Sequence, residues 1–271
     1  MRTVPCVLLA AAIGCGGPTV NADRAVETAL GDRSALARLA EKRVYFAHQS
    51  VGMNIFEGLE ALERTGPALG LRFVDARVEG AYEQPAFGHA PVGRNHAPLA
   101  KIQDFADALE KRGLGGRTDI ALYKFCYVDF PPGAPVEEVF AAYKASHARL
   151  RAAFPAVTLV HVTAPLTVVQ SGPKALVKRL VGRPLGGAEA NATRERFNDL
   201  LRAEYGGREP LFDLAELEAT RPDGRPVRFE HAGRTWRALA PEYASDGKHL
   251  NALGSRWVAA HLLRTLAAAD R

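Results

Sequence analysis

The sequence predicts an α/β domain in three layers, with an open, mainly parallel five-stranded sheet between two layers of helices. Three observations carry that expectation. Short β-rich apolar runs alternate with longer segments of helical period along nearly the whole chain, the signature of a parallel sheet covered on both faces. The 271 residues suffice for one large domain with a sizeable core. Hydrophobic residues at 47% and charged residues at 24% fall in the range of water-soluble globular chains.

The elements follow in order. A helical segment over residues 24–41 precedes the strand "RVYFA" at 43–47, and a helix over 52–64 follows it. The next strand, "LRFVDARV" at 71–78, leads through a long loop to a helix at 98–112. "DIALYKF" at 119–125 and a helix at 136–153 come next, then "VTLVHVT" at 157–163 and a helix at 189–205. The fifth strand, "LFDLA" at 211–215, precedes a long irregular stretch and a last helix at 251–268. Residues 171–190, "SGPKALVKRLVGRPLGGAEA", read as a small basic insertion placed to border a site as a lid. No internal repeat or low-complexity tract interrupts this order.

Charge excludes one class of function. The net charge of +5 is scattered among Lys, Arg, Glu and Asp without a block of one sign, so the sequence carries no nucleic-acid footprint. The amino-terminal residues have the look of an export leader: Arg2, an apolar run from Val4 to Ile13, then small residues. That run is too short to span a bilayer as a stable helix. "AIGC", Ala12 to Cys15, resembles a bacterial lipobox, in which Cys15 would be lipidated; cleavage after Ala22 is the rival reading. Residues 1–22 are thus assigned to leader and linker and 23–271 to one domain, exported and either lipid-anchored through Cys15 or released. Of the three cysteines only Cys126 stays in the mature domain, so no intramolecular disulfide is expected.

In open parallel sheets the ligand site lies beyond the carboxyl ends of the strands. Ser50 follows the first strand directly and stands at a helix start, where it is either a helix cap or a nucleophile. "YASDGKHLN" at 243–251 tips the balance. Asp246 and His249 share a Gly-containing turn that can hold an imidazole by one ring nitrogen and leave the other to take a serine proton, while Asn251 caps the last helix. The loops after the second and fifth strands, of about 20 and about 35 residues, exceed ordinary connections and point to function. In the first of them Gly93 and Asn95 could donate to an oxyanion, through a close backbone approach and a side-chain amide. His48, Gln49, Tyr127 and Asp129 are the candidates for substrate contact. His48, His89 and His96 lack metal-ligand spacing, so neither a metal nor another cofactor is expected. Cys126 reads as a structural thiol with a rival reading as nucleophile, and Trp236 and Tyr243 read as packing residues with a rival reading as sugar platforms.

A serine after the first strand with Asp-x-x-His before the last helix resembles the SGNH (GDSL-like) hydrolase superfamily. The resemblance implies a flavodoxin-like fold, Ser50 as nucleophile, His249 as general base and acid, and Asp246 as orienting carboxylate. It also implies an oxyanion-hole glycine after the second strand, for which Gly93 is the match and Gly80 the alternative. Two departures mark a divergent member: "HQS" replaces Gly-Asp-Ser, and "CYVD", Cys126 to Asp129, replaces Gly-x-Asn-Asp. The function expected is hydrolysis of small acyl esters, foremost O-acetyl groups on a glycan. The alternatives are acyl transfer to a glycan by the same triad and a non-catalytic glycan-binding protein on the same fold.

Overall fold

The computed structural model describes residues 18–65 and 69–269. Cys15 and most of the leader lie outside them. Two amino-terminal helices, α1 (Pro18–Leu30) and α2 (Arg33–Ala40), replace the single segment expected there. The break falls at Gly31, whose φ of 70° ends one helix, and at Asp32, whose carboxylate accepts from Ser34 N–H at 2.9 Å and caps the next. Residues 18–22, read from sequence as leader and linker, already belong to α1.

The remaining elements are β1 (Arg43–His48), α3 (Val51–Thr65), β2 (Phe73–Asp75), β3 (Ala86–Pro91), α4 (Pro98–Glu110), β4 (Ile120–Tyr123), α5 (Val136–Ala153), β5 (Thr158–Val162), α6 (Pro173–Leu180), α7 (Ala188–Tyr205), β6 (Leu211–Phe212), α8 (Leu214–Glu218), β7 (Arg228–His231), β8 (Arg234–Arg237) and α9 (Ala252–Ala269). The main sheet is parallel throughout, in the order β2-β3-β1-β4-β5-β6. It has six strands rather than five, and a β7-β8 hairpin stands apart from it. The three-layer expectation holds. The extra strand, β3, lies inside what sequence reads as a loop, because "AFGHAP" contains Gly, His and Pro, all poor strand formers. Gly88 is required there: a Cβ would fall 2.0 Å from the Tyr82 hydroxyl, which crosses the strand to donate to Val44 C=O at 3.0 Å.

The period-two geometry of β1 sorts its side chains between two cores. Val44 and Phe46 join the cluster containing Ile55, Leu59, Val258 and Leu262, from α3 and α9. Tyr45 and Ala47 join the cluster containing Phe105, Tyr143 and Phe197, from α4, α5 and α7. Being buried on both faces, β1 is rigid, and it delivers residues 48–50 to the carboxyl edge of the sheet.

Candidate active site

At that edge the chain turns sharply. Ser50 has φ 52°, in the left-handed region that a non-glycine residue seldom occupies. Such a backbone costs about 1–3 kcal/mol and persists only where the surroundings over-determine it. Here Met53 N–H donates to Ser50 C=O at 2.7 Å and Gly52 N–H to Gln49 C=O at 3.1 Å, so helix α3 starts immediately. Gly52 is dictated by packing, since a Cβ would lie 2.3 Å from the Cβ of His48. The Ser50 side chain does not cap the helix. Its Oγ lies 2.8 Å from His249 Nε2.

His249 is held from its other side. Its Nδ1 lies 2.8 Å from Asp246 Oδ2, while Asp246 Oδ1 accepts the N–H groups of Lys248 at 2.9 Å and His249 at 2.8 Å. These bonds, first the one from the imidazole, hold the Asp246 carboxyl far below the usual carboxylate range. Gly247 allows the turn with φ 81°, and Ser245 N–H closes it onto His249 C=O at 2.9 Å. Asn251 caps α9 as expected, accepting from Gly254 N–H at 3.0 Å. Asn54, which sequence reading passed over, accepts Leu250 N–H at 3.3 Å and so ties the first turn of α3 to the acid–base turn. Its position one helical turn after Ser50 was the available signal. Tyr127 borders the site, its ring 5.8 Å from that of His249 and edge-on to it.

The opposite flank of Ser50 corrects several expectations. Gly93 was expected as an oxyanion donor, but its N–H points to Asp104 Oδ2 at 2.8 Å and its C=O accepts Gln49 Nε2 at 2.7 Å. Its lack of a side chain serves packing, because a Cβ would lie 2.8 Å from the Lys101 backbone. Gly80, the alternative, sits in a turn after β2 where a Cβ would approach the Glu83 carboxylate at 3.1 Å. Asn95 keeps its candidacy. Lys101 Nζ donates to Asn95 Oδ1 at 3.0 Å, which fixes the amide so that its Nδ2 remains a donor without a protein partner among the described residues.

Asp129, expected to contact substrate, is instead interior. It forms a fully buried ion pair with Lys101 at 2.6 Å and accepts the N–H groups of His96 at 2.9 Å and Cys126 at 2.6 Å. One carboxylate thereby clamps the loop after β3 to the loop after β4. His48 is also turned away from the cleft, as the parity of β1 requires. It is 2% exposed, packs against Phe46 and Phe56, and places Nε2 3.1 Å from His89 Nδ1. Burial pushes the His48 imidazole down to about 3, so the ring stays neutral. Gln49 braces the nucleophile turn instead, donating to the carbonyls of Val92 at 2.8 Å and Gly93 at 2.7 Å.

The rival nucleophile Cys126 is buried, and its thiol donates to Gln49 C=O at 3.5 Å. Trp236 and Tyr243 are packed, with Trp236 Nε1 donating to His231 C=O at 3.0 Å and the Tyr243 hydroxyl to Thr220 C=O at 3.0 Å. Among the described residues no group of three His, Cys, Asp or Glu side chains is placed to hold a metal ion. A cavity of about 820 Å³ opens on the α4 side of Gly93, lined by Tyr45, Asp104 and Arg112. Neither Ser50 nor His249 lines it; both are half-buried at the carboxyl end of the sheet.

No family model and no curated protein matches the chain. Solved structures do. A protein from Streptococcus pneumonia provisionally described as a platelet activating factor is 13% identical over 90% of this chain and 93% of its own, with a TM-score of 0.49. A protein from Slackia heliotrinireducens provisionally assigned to the SGNH hydrolases is 17% identical over 83% and 98%, with a TM-score of 0.47. A catalytic mutant of an acetylxylan esterase from Geobacillus stearothermophilus is 11% identical over 84% and 94%, with a TM-score of 0.46. The site stands on its own hydrogen bonds among Ser50, His249 and Asp246.

Proposed function

We propose that the protein is a serine hydrolase of small carboxylic esters, with O-acetyl groups on a glycan as its substrate class. The observation that carries the reading is the unbroken hydrogen-bond chain from Ser50 Oγ through His249 to Asp246, at 2.8 Å in each step. Its members come from the turn after the first strand of the sheet and the turn before the last helix, which share no local reason to meet.

In this mechanism His249 Nε2 takes the Ser50 proton as Oγ bonds to the ester carbonyl carbon. Asp246 stabilises the imidazolium that forms. The oxyanion is received by the Ser50 N–H and Asn95 Nδ2. His249 then protonates the departing alcohol as the C–O bond breaks, leaving an acyl-Ser50 ester. Water, deprotonated by His249, attacks that ester, and His249 returns the proton to Ser50 Oγ as the acyl C–Oγ bond breaks and the carboxylic acid leaves. The left-handed backbone at Ser50 supports the reading, since strain of that kind clusters at functional sites. The glycan preference draws on the export leader expected at residues 1–22 and on the acetylxylan esterase among the neighbours.

A fluorophosphonate probe tests the reading. The expected result is one covalent adduct on the intact protein that Ser50→Ala removes. An intact protein that takes no adduct overturns catalysis by Ser50 and leaves a binding protein on this fold.

A further inference from the structure

Helix α6 is turned inside out relative to an ordinary surface helix. Ala175 is buried in a small core with Leu185, Ala188, Phe229 and Trp236, so that side of the helix faces the protein. Leu176, Val177, Leu180 and Val181 occupy the opposite side and are 60%, 58%, 78% and 63% exposed. At i, i+1, i+4 and i+5 they form one continuous apolar stripe. Elsewhere among the described residues the exposed large apolar side chains, Met53, Val78 and Leu99, stand singly. Single exposed residues need no explanation; a clustered stripe marks an interaction surface.

The charge around the stripe selects the occupant. Residues 171–187 contain Lys174, Lys178, Arg179 and Arg183 and no acidic residue. Lys174 and Arg183 are exposed, and Lys178 anchors the helix from below by donating to Gln170 Oε1 at 2.7 Å. A second copy of the chain, docked about a twofold axis, would set these cations against their own images. We propose that α6 docks on a lipid bilayer bearing anionic head groups, with the aliphatic stripe at the acyl boundary and the exposed Lys174 and Arg183 at the phosphates.

Docking there has a consequence for the rest of the molecule. The segment leading into α6 is bonded to the acid–base turn, Val168 N–H donating to Gly247 C=O at 2.9 Å. Docking of α6 would therefore reach the acid–base turn through that backbone bond. The docking itself stands apart from the esterase reading, because its tests measure no turnover.

Hydrogen–deuterium exchange of the full chain, followed in peptides covering residues 171–187, tests it locally and is insensitive to any binding through the leader. Vesicles of phosphatidylcholine containing phosphatidylglycerol should slow exchange in α6 by about tenfold, and vesicles of phosphatidylcholine alone should not. The Leu176→Ser/Leu180→Ser variant, altered only at exposed positions, should lose the protection. Lys174→Glu/Arg183→Glu should lose the response to phosphatidylglycerol. Unchanged exchange in α6 when the protein sediments with the anionic vesicles overturns the proposal. So does a dimer in analytical ultracentrifugation that Leu180→Asp dissociates, which would make the stripe a self-interface.

Discussion

The two flanks of Ser50 are built on different principles. On the acid–base side, Asp246, Lys248 and His249 hold one another within a single turn, and the Asp246 side chain remains 54% exposed. On the other side, the order comes from a tertiary network with a fully buried centre. There Lys101 and Asp129 bind across the loops after β3 and β4, and Gln49 bridges to Val92 and Gly93. The first flank carries chemistry on a self-supporting local motif. The second carries architecture, and chemistry depends on it through Asn95. Substitutions should therefore separate activity from stability on one side and couple them on the other.

The largest effect is expected on the acid–base side. His249→Ala should lower p-nitrophenyl acetate turnover by about 10⁴-fold or more while leaving stability within about 0.5 kcal/mol. Unchanged turnover would remove His249 from the mechanism. Ser50 sharpens the contrast. Ser50→Gly and Ser50→Ala should both be inactive, yet the glycine variant should unfold at higher denaturant, because only glycine adopts φ 52° without cost. Equal midpoints would show that the turn stores no strain.

Across the cleft, Lys101→Met leaves the Asp129 carboxylate buried without its cation. The expected cost is about 3–5 kcal/mol, read as a drop in the urea midpoint, with activity lost in parallel. A stable, inactive variant would mean that this pair acts on chemistry directly rather than through the loops it joins. Asn95→Ala comes next. It should lower kcat by about 10²–10³-fold with little change in KM, the effect of removing one oxyanion donor. The same substitution also takes an acceptor from the buried Lys101 ammonium, so stability should fall with activity, by about 1 kcal/mol. A pure KM effect would move Asn95 from the oxyanion to ground-state binding.

The same contrast governs what could be read from the sequence. Asp246 and His249 were legible because their geometry is contained in four residues, and Ser50 because a strand end and a helix start mark its place. Five helices after β1, namely α3, α4, α5, α7 and α9, were legible from their period. β3 was not, because its pairing with β1 and β2 on both sides overrides the weak propensities of Gly88, His89 and Pro91. Gly93 was misassigned for a related reason. Its N–H partner, Asp104, sits on α4, and nothing in "PVGRNHAP" announces it. Lys101 looked like any lysine on a helix, and only the three-dimensional approach of Asp129 makes it an interior residue. His48 could have been placed: its even spacing from Val44 and Phe46 along β1 sends it to the α3 side rather than into the cleft.

The last contrast concerns the pH dependence of two carboxyls, Asp246 and Glu218, and its signs are opposite. Asp246 has a depressed pKa, so the stability it lends is present above its unfolded value and is lost only as pH falls well into the acid range. Glu218, on α8, is fully buried, with Oε2 accepting Leu166 N–H at 2.6 Å and Oε1 without a partner among the described residues. Burial pushes its carboxyl up to about 8, and the cations of Lys124 and Arg194 offset only part of that. A raised acid is protonated in the fold. Its contribution is therefore complete below the unfolded value of 4.5 and is lost as pH rises toward about 8. Stability should fall across that window by at most about 1.4 kcal/mol per pH unit. Glu218→Gln keeps an acceptor for Leu166 and cannot ionise, so its unfolding free energy should be flatter between about pH 5 and about pH 8. Urea titrations of both proteins across that range decide it. A wild-type curve no steeper than that of the variant would mean that Glu218 is ionised in the fold, paired with the buried cations of Lys124 and Arg194.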